Sequence, residues 1–296
     1  MKVSEIIRKA TEFLRDSKVE NARSEAELLT GFVLGWTRLQ VMTRGEQEVN
    51  DIEYTSLCRT MKRRAAGEPY AYICGEKEFM SLPFKVTSDV LIPRPDTELL
   101  VETVLSYLRS ELAEEGIQQQ YVLDLCTGSG AIAVSLAYYL PGALIWAADV
   151  SERALAVAGQ NSMLNGVADS IEFCLGDLFA ALTEIKKDRQ EIMFDCIVSN
   201  PPYIPDGDIP QLMRDVRDFE PELALAGGSD GLKFYRKITE QALDWLKPEG
   251  MLAVEIGCDQ ADAVQELFLQ AGYDEIQLLA DLAGWPRVIT GIKKSR

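Results

Sequence analysis

With 296 residues, 47% of them hydrophobic and 26% charged, the chain is long enough for two domains and a sizeable core, and wholesale disorder is excluded. It carries 30 Lys/Arg against 47 Asp/Glu, a net charge of −17, and the excess lies in residues 76–296, since residues 1–75 hold 12 basic and 11 acidic side chains. That acidic body argues against direct binding to nucleic-acid phosphates and suits a protein partner or a cationic small molecule, while the lack of any histidine excludes His-based triads and His-ligated zinc.

The N-terminus, residues 1–17, mixes acid and base through its apolar positions and is not read as a signal peptide. No apolar run reaches the roughly 18 residues of a membrane span. The six cysteines (Cys58, Cys74, Cys126, Cys174, Cys196 and Cys258) form no CxxC pair, and most sit in apolar runs. They are expected as reduced core thiols in a cytoplasmic protein, and no metal site is expected.

Residues 1–75 are predicted to form a small all-α domain of about three to five helices. Val3, Ile6, Ile7, Ala10, Phe13 and Leu14 fall at helical spacing. Ser24 with Glu27 reads as a capping box ahead of Leu28, Leu29, Phe32 and Val33, and Asp51 opens a stretch through Leu57 and Met61 that Gly67 and Pro69 stop. The basic cluster Arg59, Lys62, Arg63 and Arg64 is read as a solvated helix face, with a partner-facing patch as the alternative. Residues 76–96 form a linker: Phe79, Leu82, Phe84 and Val86 alternate as in a β-hairpin, and Pro93 and Pro95 then stiffen the chain before Asp96 caps the next helix.

Residues 97–296 are the third region, and from residue 121 they alternate strand and helix. Strands are predicted at 121–125, 143–148, 171–175, 194–199 and 251–255, and helices begin near Ala131, Ser151, Gly231 and Gln260. Such alternation predicts an α/β fold, a Rossmann-like doubly wound parallel sheet. Two last strands, 276–279 and 288–292, surround a loop and form an antiparallel hairpin. This seven-stranded, mostly parallel arrangement resembles that of S-adenosylmethionine-dependent methyltransferases.

Asp124-Leu125-Cys126-Thr127-Gly128-Ser129-Gly130 follows a strand and opens a helix. The glycines allow close backbone approach to a ligand, and the helix start offers free N–H groups. Asp149 ends the next strand, where a carboxylate can accept both ribose hydroxyls of an adenosine-containing ligand. The turn is neither GxGxxG nor a P-loop, so a ligand without a pyrophosphate is preferred; S-adenosylmethionine fits, and Asp124 would lie near its sulfonium. After the strand 194–199 comes Asn200-Pro201-Pro202-Tyr203. The Asn200 side-chain oxygen and the Pro201 carbonyl can accept two N–H bonds from one planar nitrogen, with Tyr203 packing alongside.

The Asn-Pro-Pro-Tyr segment resembles the signature of enzymes that methylate adenine N6, guanine N2 or a glutamine amide. Further segments narrow the likeness: Gly67-Glu68-Pro69-x-x-Tyr72-Ile73-x-Gly75, Phe79-x-x-Leu82-x-Phe84-x-Val86, the run Val90 to Glu98, and Glu220-Pro221-x-x-Ala224-Leu225-x-Gly227-Gly228-x-Asp230-Gly231. From about residue 60 onward the chain is similar to the peptide chain release factor glutamine N5-methyltransferases, the PrmC/HemK family. The resemblance implies transfer of a methyl group to the glutamine of a Gly-Gly-Gln loop in bacterial class 1 release factors. It also implies that Cys126, Thr127, Gly128, Ser129 and Gly130 line the cofactor, with Asp124 close by and Asp149 on its ribose. Leu178 flanks adenine, Asn200 also contacts the cofactor, and Asn200, Pro201, Pro202 and Tyr203 hold the substrate amide. Asn200 and Pro201 are the residues expected to act on the reacting nitrogen. Cys126 stands where the family most often has glycine. The helical N-terminal region is expected to recognise the partner. Rival readings are a glutamine methyltransferase of a ribosomal protein, a nucleic-acid amino-methyltransferase, against which the charge of the catalytic half argues, and a non-enzymatic binding module.

Overall fold

The computed structural model describes residues 1–115, 119–183 and 192–295. They divide into two compact units, Met1–Glu76 with Leu212–Phe219, and Lys77–Gln211 with Glu220–Arg296. No helix of the described residues is long and apolar enough to cross a membrane.

The first unit holds helices α1 (Val3–Asp16), α2 (Ala22–Leu34), α3 (Arg38–Thr43), α4 (Asp51–Ala65) and α5 (Tyr70–Cys74), and the short helix Arg214–Phe219 clusters with them. Val3, Ile6, Ala10 and Leu14 form one stripe of α1 and meet Leu29, Leu57 and Met61 in a common core. Phe13 lies off that stripe and is exposed. The capping box expected at Ser24 is not formed. Helix α2 starts earlier, after Asn21, and Glu27 is buried inside it, taking Arg23 at 3.0 Å and Arg38 at 3.1 Å. Two guanidinium partners satisfy a buried carboxylate better than one backbone N–H. A reciprocal cap exists at α4: Asn50 accepts from the Glu53 N–H at 2.9 Å, and the Glu53 carboxylate accepts from the Asn50 N–H at 3.0 Å. The basic cluster is half internal, for Arg64 pairs with Glu25 at 3.0 Å and Arg63 pairs with Glu68, while Arg59 and Lys62 are exposed.

A hairpin follows, β1 (Glu76–Phe79) and β2 (Leu82–Lys85), whose turn residues Met80 and Ser81 both have positive φ. Phe79, Leu82, Phe84 and Val86 are buried, as their alternation predicts. Helix α6 (Thr97–Glu115) precedes a seven-stranded sheet of order β5-β4-β3-β6-β7-β9-β8. Its strands are β3 (Tyr121–Leu125), β4 (Leu144–Asp149), β5 (Ile171–Leu175), β6 (Phe194–Ser199), β7 (Leu246–Glu255), β8 (Asp274–Ala280) and β9 (Pro286–Ile292). Strands β3 to β7 are parallel, and β9 runs antiparallel to β7 and β8. The chain runs from β3 outward to β5 and returns to the other side of β3 as β6. The resulting switch point opens a crevice at the carboxyl ends of β3, β4 and β6. Helices α7 (Ala131–Tyr139) and α8 (Glu152–Leu164) follow β3 and β4. Strand β7 begins before the expected Met251: Leu246 pairs with Phe194, the register shifts across the Lys247–Gly250 stretch, and Met251 then pairs with Cys196. Of the six cysteines, all free, Cys174 and Cys196 are buried; Cys258 is exposed and the other three are half-buried, so the expectation of core thiols holds for two.

Candidate active site

The turn after β3 is organised from below by Asp124. Its carboxylate is fully buried and accepts the Thr127 hydroxyl at 2.6 Å and the Ala133 N–H at 3.2 Å, leaving Oδ1 without a partner. Burial pushes this carboxyl up to about 7, against the pull of those two donors. Asp124 is not in the wall of the cavity described below; it shapes the turn and the start of α7. Gly130 is not in that wall either. It has φ +78°, and a Cβ there would lie 2.9 Å from the Cβ of Ala158, so glycine is required for the approach of α8 to the turn. Buried Asn161 of α8 fixes the same turn: its amide donates to the Ser129 carbonyl at 2.8 Å and clamps Lys85, accepting its N–H at 2.7 Å and donating to its carbonyl at 3.0 Å.

At the end of β4, Asp149 Oδ2 accepts the Gly128 N–H and Oδ1 accepts the Ser151 N–H, both at 2.9 Å. Each oxygen keeps a second lone pair, and burial raises the carboxyl above its ordinary value against these N–H donors. Asp149 faces a cavity of about 350 Å³, within the range of small-molecule sites. Cys126, Thr127, Gly128 and Ser129 form one wall, Leu178 another, and Asn200 and Pro202 a third; Leu91, Pro93, Leu223 and Phe234 add apolar surface. Cys126 adopts φ +61°, and burial together with Asp149 and Asp124 drives its thiol far above the ordinary range. Among the described residues no group of His, Cys, Asp and Glu could hold a metal ion.

Asn200-Pro201-Pro202-Tyr203 leaves the end of β6, where the Ser199 hydroxyl donates to the Leu125 carbonyl at 2.7 Å and ties β6 to β3. Asn200 Nδ2 donates to Thr97 Oγ1 at 3.2 Å, while its Oδ1 and the Pro201 carbonyl take no donor among the described residues. Pro201 and Tyr203 are not in the cavity wall. Tyr203 is largely buried, which pushes its phenol up to about 12. Its carbonyl accepts from Gln260 Nε2 at 2.9 Å, and Ile204 exchanges backbone bonds with Leu225 and Gly227 at 3.0 and 2.8 Å. Gly231, at φ +72°, lies where any Cβ would strike the Tyr203 carbonyl, which explains a glycine there.

Several participants were given no role by the sequence, although Arg94, Thr97 and Glu220 lie in segments that carry the family likeness. Arg94 pairs with buried Glu220 and ties the Pro93–Pro95 segment to the Pro221–Ala224 rim of the cavity. Thr97 meets Asn200 across 103 residues. Glu255, 2% exposed, closes β7 next to Asn200, and its Oε2 has no partner. The available signal was a lone acid ending an apolar strand at the carboxyl edge of a parallel sheet.

Residues 97–214 match the family described as Methyltransferase small domain, and fold and cavity together define the protein as a methyltransferase. A methyltransferase structure from Pyrococcus furiosus shares this fold at 19% identity and TM-score 0.50, over 73% of this chain and 91% of that one. Residues 5–75 match the PrmC N-terminal domain. The chain is 42% identical to the release factor glutamine methyltransferase of Moorella thermoacetica and 37% identical to that of Clostridium acetobutylicum, over 99% of each chain. It belongs to the release factor glutamine methyltransferase family.

Proposed function

We propose that the protein transfers a methyl group from S-adenosylmethionine to the side-chain amide nitrogen of the glutamine in the Gly-Gly-Gln loop of class 1 release factors. The observation that carries the reading is the pair of unengaged acceptors, Asn200 Oδ1 and the Pro201 carbonyl, beside the cavity that Asp149 faces.

The cavity residues fit the cofactor. Each Asp149 oxygen has a lone pair left for a ribose hydroxyl, and the Gly128 turn leaves room for close approach. Leu178 supplies an apolar face for a base. S-adenosylmethionine supplies an activated methyl group on a cationic sulfur. The chain supplies orientation. A glutamine amide nitrogen is a weak nucleophile because its lone pair is delocalised into the carbonyl. Asn200 and the Pro201 carbonyl, each accepting one amide hydrogen, hold that nitrogen in line and stabilise the positive charge that develops on it. Tyr203, anchored through its backbone by Gln260, keeps the segment rigid. The helical N-terminal unit, nearly neutral in charge, takes the role of recognising the protein partner.

Incubating the enzyme and labelled S-adenosylmethionine with a release factor, a ribosomal protein or tRNA in parallel tests the reading. Label in the release factor alone is expected. Label in tRNA or in the ribosomal protein alone would overturn it.

A further inference from the structure

We propose that Glu255 and Thr97 act as positioning residues that set which end of the Asn200 carboxamide faces the substrate. The inference rests on the reading that Asn200 grips the substrate amide.

Strand β7 pairs with β6 so that Val254 faces Ser199, which brings Glu255 beside Asn200 at the carboxyl edge of the sheet. Thr97 and Asn200 are in the cavity wall and Glu255 is not. Asn200 Nδ2 donates to Thr97 Oγ1 at 3.2 Å, and the buried Glu255 carboxylate, whose Oε2 has no partner, lies close enough for Thr97 and Asn200 to favour its charged form. A threonine hydroxyl has one proton. Above about pH 7, where Glu255 is ionised and only accepts, that proton goes to the carboxylate and the hydroxyl oxygen is left to receive an N–H. Both neighbours of the Asn200 carboxamide are then acceptors, so its NH₂ end is drawn inward and Oδ1 is left outward, where an acceptor for the substrate N–H is needed. A flipped carboxamide would present donors to a donor.

Burial pushes the Glu255 carboxyl up to about 7, while Thr97, Arg287 and Asn200 pull it down and Asp96 pushes it further up. Arg287 is shared with Asp96 at 3.1 Å and Asp281 at 3.0 Å, so it does not belong to Glu255 alone. The phenols of Tyr203 and Tyr235 also feel this charge. An acid held in such a place without a full ion-pair partner is costly for the fold, as expected of a group kept for a task in the site.

The test is a double-mutant cycle on the full chain, reading single-turnover methylation of a release factor alongside S-adenosylmethionine affinity. Glu255→Gln keeps the volume but offers a donor in place of the acceptor, and Thr97→Val keeps the shape but removes the hydroxyl. Each is expected to slow transfer by roughly 10- to 100-fold with cofactor affinity unchanged, and the double variant no further, because both act through one chain. Thr97→Ser, which restores the hydroxyl, is expected to recover most of the rate. Should Glu255→Gln fail to fold, the Val and Ser variants at residue 97 still decide. Equal rates for those two, or effects of the two single variants that multiply, would overturn the proposal. Asn200→Ala separates the two layers: slow transfer there with normal rates in the other variants removes only this inference, whereas normal transfer in Asn200→Ala removes the reading beneath it.

Discussion

At Asp149 one carboxylate organises the turn, through the Gly128 and Ser151 N–H groups, and offers its remaining lone pairs to the proposed ribose. Asp149→Ala is therefore expected to cost S-adenosylmethionine about 2–3 kcal/mol of binding, the range of charge-assisted hydrogen bonds. Calorimetry showing wild-type affinity would contradict this. Cys126, although it is in the cavity wall, is expected to react slowly with iodoacetamide near neutral pH, because burial and two nearby carboxyls keep its thiol protonated. Peptide mapping after limited alkylation should find exposed Cys258 modified first; the opposite order would contradict the assignment. The places of Asp149 and Asn200, at the ends of β4 and β6, were legible in the sequence because those strands were. Thr97, Glu255 and Asn161 were not, because each acts on a partner far along the chain and is defined only once β6 lies beside β7 and α8 beside the turn. Asp124, expected near the sulfonium, lies beneath the turn, where it holds Thr127 and the start of α7.

Among the elements, strands β3, β5 and β6 match the sequence expectation residue for residue; β3 and β6 are almost wholly buried in the sheet, while β5, at its edge, is only partly so and leaves Leu175 exposed. Strand β7 does not, because Pro248 and Gly250 look like a break although the chain keeps pairing on both sides of them. The start of α2 was misread because a buried ion pair at Glu27 outweighs the cap that its spacing suggests. The cap at Asn50 is real, and Asn50→Ala is expected to lower stability by about 1 kcal/mol in chemical denaturation. No change would show that the box contributes nothing. Gly130→Ala is expected to cost more, roughly 1–3 kcal/mol, because the added methyl must displace α8 and occupy an unfavourable φ. A neutral result there would mean that α8 can retreat from the turn at little cost.

For the whole molecule, the buried carboxyls of Asp124 and Glu255, both pushed up to about 7, set a pH dependence whose sign follows from linkage. Unfolded, these groups titrate near 4; between that value and about 7 the native state holds protons that the unfolded state has lost, so stability falls as pH rises through the window. The slope is expected to reach up to about 1.4 kcal/mol per pH unit for each group. Asp230 and Asp281, held below their ordinary value by hydrogen bonds from Arg236 and from the Trp285 N–H, act at more acidic pH and do not reverse it. The net charge of −17 adds self-repulsion that salt should relieve. Denaturation curves across this window should show the fall, flattened in Asp124→Asn; a rise with pH would contradict the burial of both carboxyls. The central claim, that a planar amide nitrogen is the methyl acceptor, is tested most directly by tandem mass spectrometry of a release factor after reaction with the enzyme and S-adenosylmethionine. The expected result is one methyl group on the side-chain amide of the Gly-Gly-Gln glutamine, and none on a release factor carrying glutamate there. A methyl group elsewhere on the release factor, or equal modification of the glutamate form, would contradict it.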